Sequence, residues 1–239
     1  MTADPLGPAP VPDGGVLLIT GASTGIGAAT ARRAVADGWR VALAARSVDS
    51  LDALAAELGG AQHAIAVRCD VTEFDQLEAL VAATLKAFGR IDVAFANAGF
   101  GAKRGFLEET VEHWRSMVLT NVLGCALTIR ACIPALRESR GHLLLTSSVA
   151  GRRALPGSLY SATKHAVTAM GEAARAEFSG EGIRVTLIEP GMTDTPFFEN
   201  RPDAALEPDD LARAVMFAIG QPAHVNVNEI LVRPTAQPN

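Results

Sequence analysis

Val16-Leu-Leu-Ile-Thr-Gly-Ala-Ser-Thr-Gly-Ile-Gly27 decides how this chain is read: apolar and β-branched residues run straight into a glycine-rich turn, and a segment of helical period follows. A strand that turns on glycines into a helix is the opening unit of a parallel sheet. Gly21, Gly25 and Gly27 let the backbone turn tightly and bring N–H groups, with the positive end of a helix, up to a phosphate. The spacing is TGxxxGxG, unlike the GxGxxG of many dinucleotide sites, and a glycine turn alone also serves as a plain tight connection.

Downstream, the same alternation repeats. Short apolar or β-branched runs at 16–20, 40–45, 63–69, 91–96, 142–146, 184–189 and 229–232 read as strands. Between them, 25–37, 48–58, 73–88, 111–138, 158–179 and 208–219 read as helices. Parallel neighbours need right-handed crossovers, which helices supply, so the expected fold class is α/β: a single doubly wound domain with a seven-stranded parallel sheet flanked by helices on both faces. A length of 239 residues suits one such core. Residues 1–15 are Pro-rich, contain no Lys or Arg and no apolar run, and so lack the parts of a signal peptide; they read as a flexible tail before a domain at 16–239. Within that domain, 192–207 is punctuated by Pro196 and Pro202 and follows the sixth strand. Ligands of open α/β sheets bind beyond the carboxyl ends of the strands, so this stretch is expected to be a short lid.

Charge and cysteine content narrow the function. With 21 basic and 26 acidic side chains, a net charge of −5 argues against a phosphate-tracking surface, and nucleic acid is not an expected partner. No stretch reaches about 18 consecutive apolar residues, so no membrane span is expected. Cys69, Cys125 and Cys132 are odd in number and form no CxxC pair, which reads as a reduced, cytoplasmic protein without a metal site.

Four features carry chemistry. Arg46 stands where the second strand ends, in Ala44-Ala-Arg-Ser47, about where an NAD site carries an acid for the ribose 2′-OH. The acid is missing and a cation is present, which suits a 2′-phosphate, and the Ser23 hydroxyl in the glycine turn is a further donor; together they favour NADP(H). Tyr160, the only tyrosine, stands four residues before Lys164, so the two share one helix face. A phenol has a pKa near 10, and a neighbouring ammonium is expected to lower it toward use as a proton donor and acceptor. Taken alone, such a pair is more often a helical neighbour with its Lys in water. The fifth strand, however, ends in Ser147-Ser148, placing hydroxyls at the sheet edge where substrate would lie. Asn121 falls at i+7 from Trp114 on an apolar helix face, so its amide is expected to be buried and hydrogen-bonded.

With these motifs in order, the chain resembles the short-chain dehydrogenase/reductase family: Thr20 to Gly27, Asp70-Val71, Asn97-Ala98-Gly99, Asn121, Ser147-Ser148, Tyr160-Ser-Ala-Thr-Lys164, and Pro190-Gly191 followed by Thr195. The resemblance covers nearly the whole chain after the tail. It implies a Rossmann-type domain that transfers a hydride between NADP(H) and a secondary alcohol or carbonyl. The catalytic group it implies is Ser148, Tyr160, Lys164 and Asn121, with Lys164 also on the nicotinamide ribose and Asn121 anchoring a water that links Lys164 to solvent. It further implies cofactor contacts at Gly21, Ser23, Thr24, Gly25, Ile26, Gly27, Arg46, Asp70, Val71, Asn97, Ala98, Gly99, Tyr160, Lys164, Pro190, Gly191, Thr193 and Thr195. Asp70 would lie near the adenine, Asn97 would stabilise the central sheet and Thr195 would lie near the nicotinamide amide.

The C-terminal stretch from His224 to Thr235 resembles an NADP-dependent branch acting on hydroxy acids and related small alcohols. Helices 111–138 and 158–179 resemble the family's dimer-forming pair, so a homodimer or homotetramer is expected. One spacing departs from the family pattern. Thirteen residues before Tyr160 stands Ser147, whereas aligning Ser147-Ser-Val-Ala-Gly151 selects Ser148 with one residue deleted from the loop 152–159; Ser148 is preferred because loops absorb deletions, and Ser147 stays open. The substrate pocket is expected to draw on Phe100, Ala102, Arg104, Val149, Leu155, Met192, Phe197 and Phe198. An NADP(H) sensor without turnover is the alternative reading, against which stands the presence of all four catalytic positions.

Overall fold

The structure is a computed structural model and describes residues 14–196 and 203–237. Strands β1 (Val16–Thr20), β2 (Arg40–Ala45), β3 (Ala64–Arg68), β4 (Val93–Ala96), β5 (His142–Thr146), β6 (Arg184–Pro190) and β7 (Glu229–Val232) form one parallel sheet in the order β3-β2-β1-β4-β5-β6-β7. Helices α1 (Gly25–Ala36), α2 (Val48–Glu57) and α7 (Pro208–Ile219) cover one face; α3 (Phe74–Phe88), α5 (Cys125–Ser139) and α6 (Leu159–Phe178) cover the other. Side chains alternate along a strand, so Leu17 and Ile19 of β1 enter the core with α1, α2 and α7 while Leu18 enters the core with α3, α5 and α6. Both layers are apolar, which is why the strands read as continuous apolar runs and not as alternating ones.

The expected fold class holds, with two differences. Strand ends move by one or two residues, as element ends do. The stretch expected as one helix over 111–138 is instead α4 (Val111–Val118) and α5 joined by a π-helical turn, Leu119–Gly124. Val111–Ser139 as a whole has the length and apolarity of a membrane span, yet Met117, Asn121, Cys125, Thr128, Cys132 and Leu136 along it are buried in the protein. The three cysteines are free and buried, and burial pushes their thiols up to about 11 at Cys69 and about 12 at Cys125 and Cys132. They are packing residues and not nucleophiles.

At the start of β5, His142 is fully buried. The Thr186 hydroxyl donates to the Val227 carbonyl at 2.5 Å, so the His142 Nε2–H must donate to the Thr186 oxygen, 2.7 Å away. Its Nδ1 has no partner. Burial, with the Arg184 guanidinium adding to it, holds this imidazole well below its ordinary value. Between that depressed pKa and the unfolded value near 6.5, only the unfolded chain takes up the proton, so stability falls as pH drops below about 6.5, by up to ~1.4 kcal/mol per pH unit. Urea titrations between pH 5 and 7.5 should show this slope, and a His142→Gln variant should lose it.

Candidate active site

The sheet order reverses between β1 and β4, and a crevice opens there beyond the strand ends. It is a cleft of about 590 Å³, lined by the glycine turn, Arg46, Asp70, Asn97, Ser148, Tyr160, Lys164 and Gly191 among others. At its floor, β1 runs into the turn and then α1. Gly25 adopts φ +54, which favours glycine, and a Cβ on Gly27 would lie 2.4 Å from the Gly21 carbonyl oxygen. The α1 N-terminus has no side-chain cap from Thr24, and Gly25 and Ile26 of its first turn line the cleft. This is a dipole end and a set of backbone donors suited to an anion, and the donor set fits the pyrophosphate of a dinucleotide.

Asn97 binds the strand ends together. Its Nδ2 donates to the carbonyls of Thr20 and Gly21 at 3.1 and 3.2 Å, and its Oδ1 accepts from the Thr146 hydroxyl at 3.1 Å. The Thr20 hydroxyl oxygen accepts from the Asn97 and Ala98 N–H groups. At the other end of the cleft, burial raises the Asp70 carboxyl, but bonds from the Thr72 backbone and hydroxyl, with Arg46 and Arg68 nearby, outweigh it and hold the group below its ordinary range. Arg46 is exposed at the rim. With Asp70, Thr72 and Arg115 it also lines an adjoining hollow of about 270 Å³. Arg115 was invisible to sequence reading, because its place in the hollow that Arg46 lines depends on how α4 packs.

Helix α6 begins at a Ser158 cap whose hydroxyl oxygen accepts from the Ser161 N–H, which fixes Tyr160 in the first turn and Lys164 one turn on. Tyr160 is partly buried and hydrogen-bonded to Ser148. Burial pushes its phenol up to about 12, with the Ser148 bond pulling the other way. This corrects the expectation that Lys164 lowers it. The Lys164 Nζ lies over the Tyr160 ring, 5.7 Å from its centroid, and donates to the Thr146 carbonyl at 2.7 Å. Burial lowers Lys164 itself to about 8.

The two serines separate. The Ser147 hydroxyl is turned into the protein, donating to the Lys164 carbonyl at 3.1 Å and meeting the Thr168 hydroxyl at 2.8 Å. Ser148 faces Tyr160 and donates to the Pro190 carbonyl at 3.3 Å.

Asn121 sits in the π turn and is buried. Its Oδ1 accepts from the Phe100 N–H at 3.0 Å, and its Nδ2 donates to the Phe100 carbonyl and the Thr163 hydroxyl. Thr163 donates in turn to the Tyr160 carbonyl. Both amide hydrogens are thus committed to protein groups, so Asn121 links the cleft wall to α6. Asn121 and Gly27 stand behind the lining, while Phe100, Ala102, Arg104, Val149, Leu155 and Met192 are part of it. Phe197 and Phe198 lie outside the described residues, as does the middle of the expected lid. Its two ends are joined, Asp194 N–H donating to the Leu206 carbonyl at 2.7 Å and Leu206 N–H to the Met192 carbonyl at 2.9 Å. Gln237, another residue sequence reading missed, lines the cleft from the C-terminal end and accepts from the Met192 N–H at 2.9 Å.

The family model described as short chain dehydrogenase matches residues 15–205. The chain belongs to the short-chain dehydrogenase family. An uncharacterised oxidoreductase of Staphylococcus haemolyticus is 40% identical over 227 residues, covering 93% of this chain and 98% of the relative. Among solved structures, an alcohol dehydrogenase of the archaeon Thermococcus sibiricus, complexed with 5-hydroxy-NADP, is 33% identical with a TM-score of 0.87, covering 94% of this chain and 98% of that one. A 3-ketoacyl-(acyl-carrier-protein) reductase of Brucella melitensis, complexed with NADH, is 31% identical with a TM-score of 0.85, covering 92% and 97%. This dehydrogenase is therefore an oxidoreductase with a Rossmann-type nucleotide fold.

Proposed function

We propose that this dehydrogenase transfers a hydride between NADP(H) and a secondary alcohol or carbonyl through Ser148, Tyr160, Lys164 and Asn121. The observation that carries the reading is the hydrogen-bonded Ser148–Tyr160 pair, which lines the same cleft as the glycine turn and Lys164. A bound nicotinamide dinucleotide supplies the hydride chemistry, and the protein supplies position and protons. In the reduction direction the Tyr160 hydroxyl gives its proton to the carbonyl oxygen as negative charge develops there. Ser148, whose single O–H meets the Pro190 carbonyl at 3.3 Å, turns that hydrogen to the same oxygen when a carbonyl is bound, a contribution of the oxyanion-hole kind. The Lys164 ammonium, held by Thr146, has donors for the nicotinamide ribose. Asn121 keeps Phe100 and α6 in register around this group. NADPH consumption across a panel of ketones and keto acids tests the activity; cofactor binding with no oxidation on any of them would favour a sensor.

The preference for NADP(H) rests on Arg46, seconded by Arg115, which lines the same hollow, and on the absence of an acid at position 45. A guanidinium holds a 2′-phosphate by charge-assisted bonds worth about 1.5–3 kcal/mol each, so kcat/KM for NADPH should exceed that for NADH by at least about tenfold. Changing Ala45 to Asp and Arg46 to Ala together should reverse the preference, because a carboxylate accepts from a free 2′-OH and repels the phosphate. The contact is remote from the hydride, so the change should appear mainly in KM. Equal use of NADH by the unmodified enzyme would overturn the assignment. The reading includes a cytoplasmic protein and a homodimer or homotetramer, the assembly supported by the exposed Val118, Leu119 and Leu123 at the junction of α4 and α5.

A further inference from the structure

We propose that Arg152 is a positioning residue for Ser148, acting through an ion pair with the buried Glu189; this rests on the reading of Ser148 above. Ser148 opens a short helical turn, Val149–Gly151, and its hydroxyl oxygen accepts from the Ala150 N–H at 3.1 Å. Arg152 closes the turn, its N–H donating to the Val149 carbonyl. Both ends of the turn are gripped by successive residues of β6. Ser148 donates to the Pro190 carbonyl at 3.3 Å, while the Arg152 Nε donates to Glu189 Oε1 at 2.7 Å. The second branch of the guanidinium reaches Glu229 of β7 at 2.5 Å.

Glu189 is 1% exposed, and an ionised carboxylate at that depth is costly without a partner. Its neighbours in charge are Arg152, Glu229 and Glu172, of which only Arg152 is a cation. The pair therefore pulls Arg152, and the turn ending in it, onto β6. A hydroxyl that must meet a developing oxyanion has to be held within about 0.5 Å, and such support comes from the surrounding shell. A lysine cannot reproduce the grip, because one ammonium does not present the two fixed branches that meet Glu189 and Glu229.

The test combines kinetics with a double-mutant cycle. Arg152→Ala should lower kcat by about 10–100-fold, the scale of a misplaced catalytic group, with the dissociation constant of NADPH within about twofold. Arg152→Lys should recover part of the loss. In a Ser148→Ala background the Arg152→Ala change should cost less than about twofold more, since the group it positions is gone. A purely structural role would instead carry its full cost into that background. If Arg152→Ala does not fold, the neutral pair Arg152→Met with Glu189→Gln leaves no buried charge and should show the same kcat loss and the same non-additivity. The inference is overturned if kcat stays within twofold, or if the losses multiply. Should Ser148→Ala itself leave kcat unchanged, the Ser148 reading fails and this inference with it; a large Ser148 effect beside an inert Arg152 sinks only the inference.

Discussion

Tyr160→Phe should lower kcat by about a thousandfold or more while leaving NADPH affinity within about threefold. The substitution deletes the oxygen proposed to deliver the proton and leaves the ring and the contact of Lys164 with Thr146 in place. A positioned general acid contributes about 10²–10⁴ in rate, and here no other side chain takes over. Ser148 is too weak an acid to substitute, and the Lys164 ammonium is anchored on the Thr146 carbonyl and, in the proposed reading, occupied with the ribose. Single-turnover mixing of enzyme, NADPH and a reducible ketone separates chemistry from product release, and fluorescence titration reports the cofactor. Activity within tenfold of the unmodified enzyme would show that another group supplies the proton.

The second large effect distinguishes adjacent serines. Ser148→Ala should cut kcat by about 100-fold or more, the scale found when one donor to a developing oxyanion is removed. Ser147→Ala should leave kcat within about fivefold and cost stability instead, about 1 kcal/mol for a buried hydrogen bond, because its hydroxyl is spent on Lys164 and Thr168. Steady-state kinetics with urea unfolding of both variants would show the contrast. The reverse ranking would mean that the thirteen-residue spacing to Tyr160 is the better guide.

The parallel sheet was legible because the central strands are apolar on both faces and each crossover carries a helix with an amphipathic period, so local pattern and global topology agree. The π turn was not. It spans only Leu119–Gly124, too short a stretch for its shift of the hydrophobic stripe to be told from ordinary scatter in the period, and its consequence, the amide of Asn121 meeting Phe100 and Thr163, depends on tertiary packing. The segment from Val149 to Gly151 likewise read as a loop, and its role in turning Ser148 depends on β6, more than thirty residues later in the chain.

From sequence alone came the fold class, the family resemblance, the glycine turn and the Tyr160–Lys164 pair, all of which depend on neighbours within one strand, turn or helix. Tertiary structure decided what depends on burial and on distant partners. It turned Ser147 inward and Ser148 toward Tyr160, though the two are adjacent and chemically alike. It also reversed the expectation for the Tyr160 phenol, because desolvation grows with the packing of the whole cleft while the helical spacing records only that an ammonium is near. Arg152 shows the same division: in sequence it is one Arg of a pair in a loop, and its partners Glu189 and Glu229 become neighbours only when β5, β6 and β7 align in one sheet.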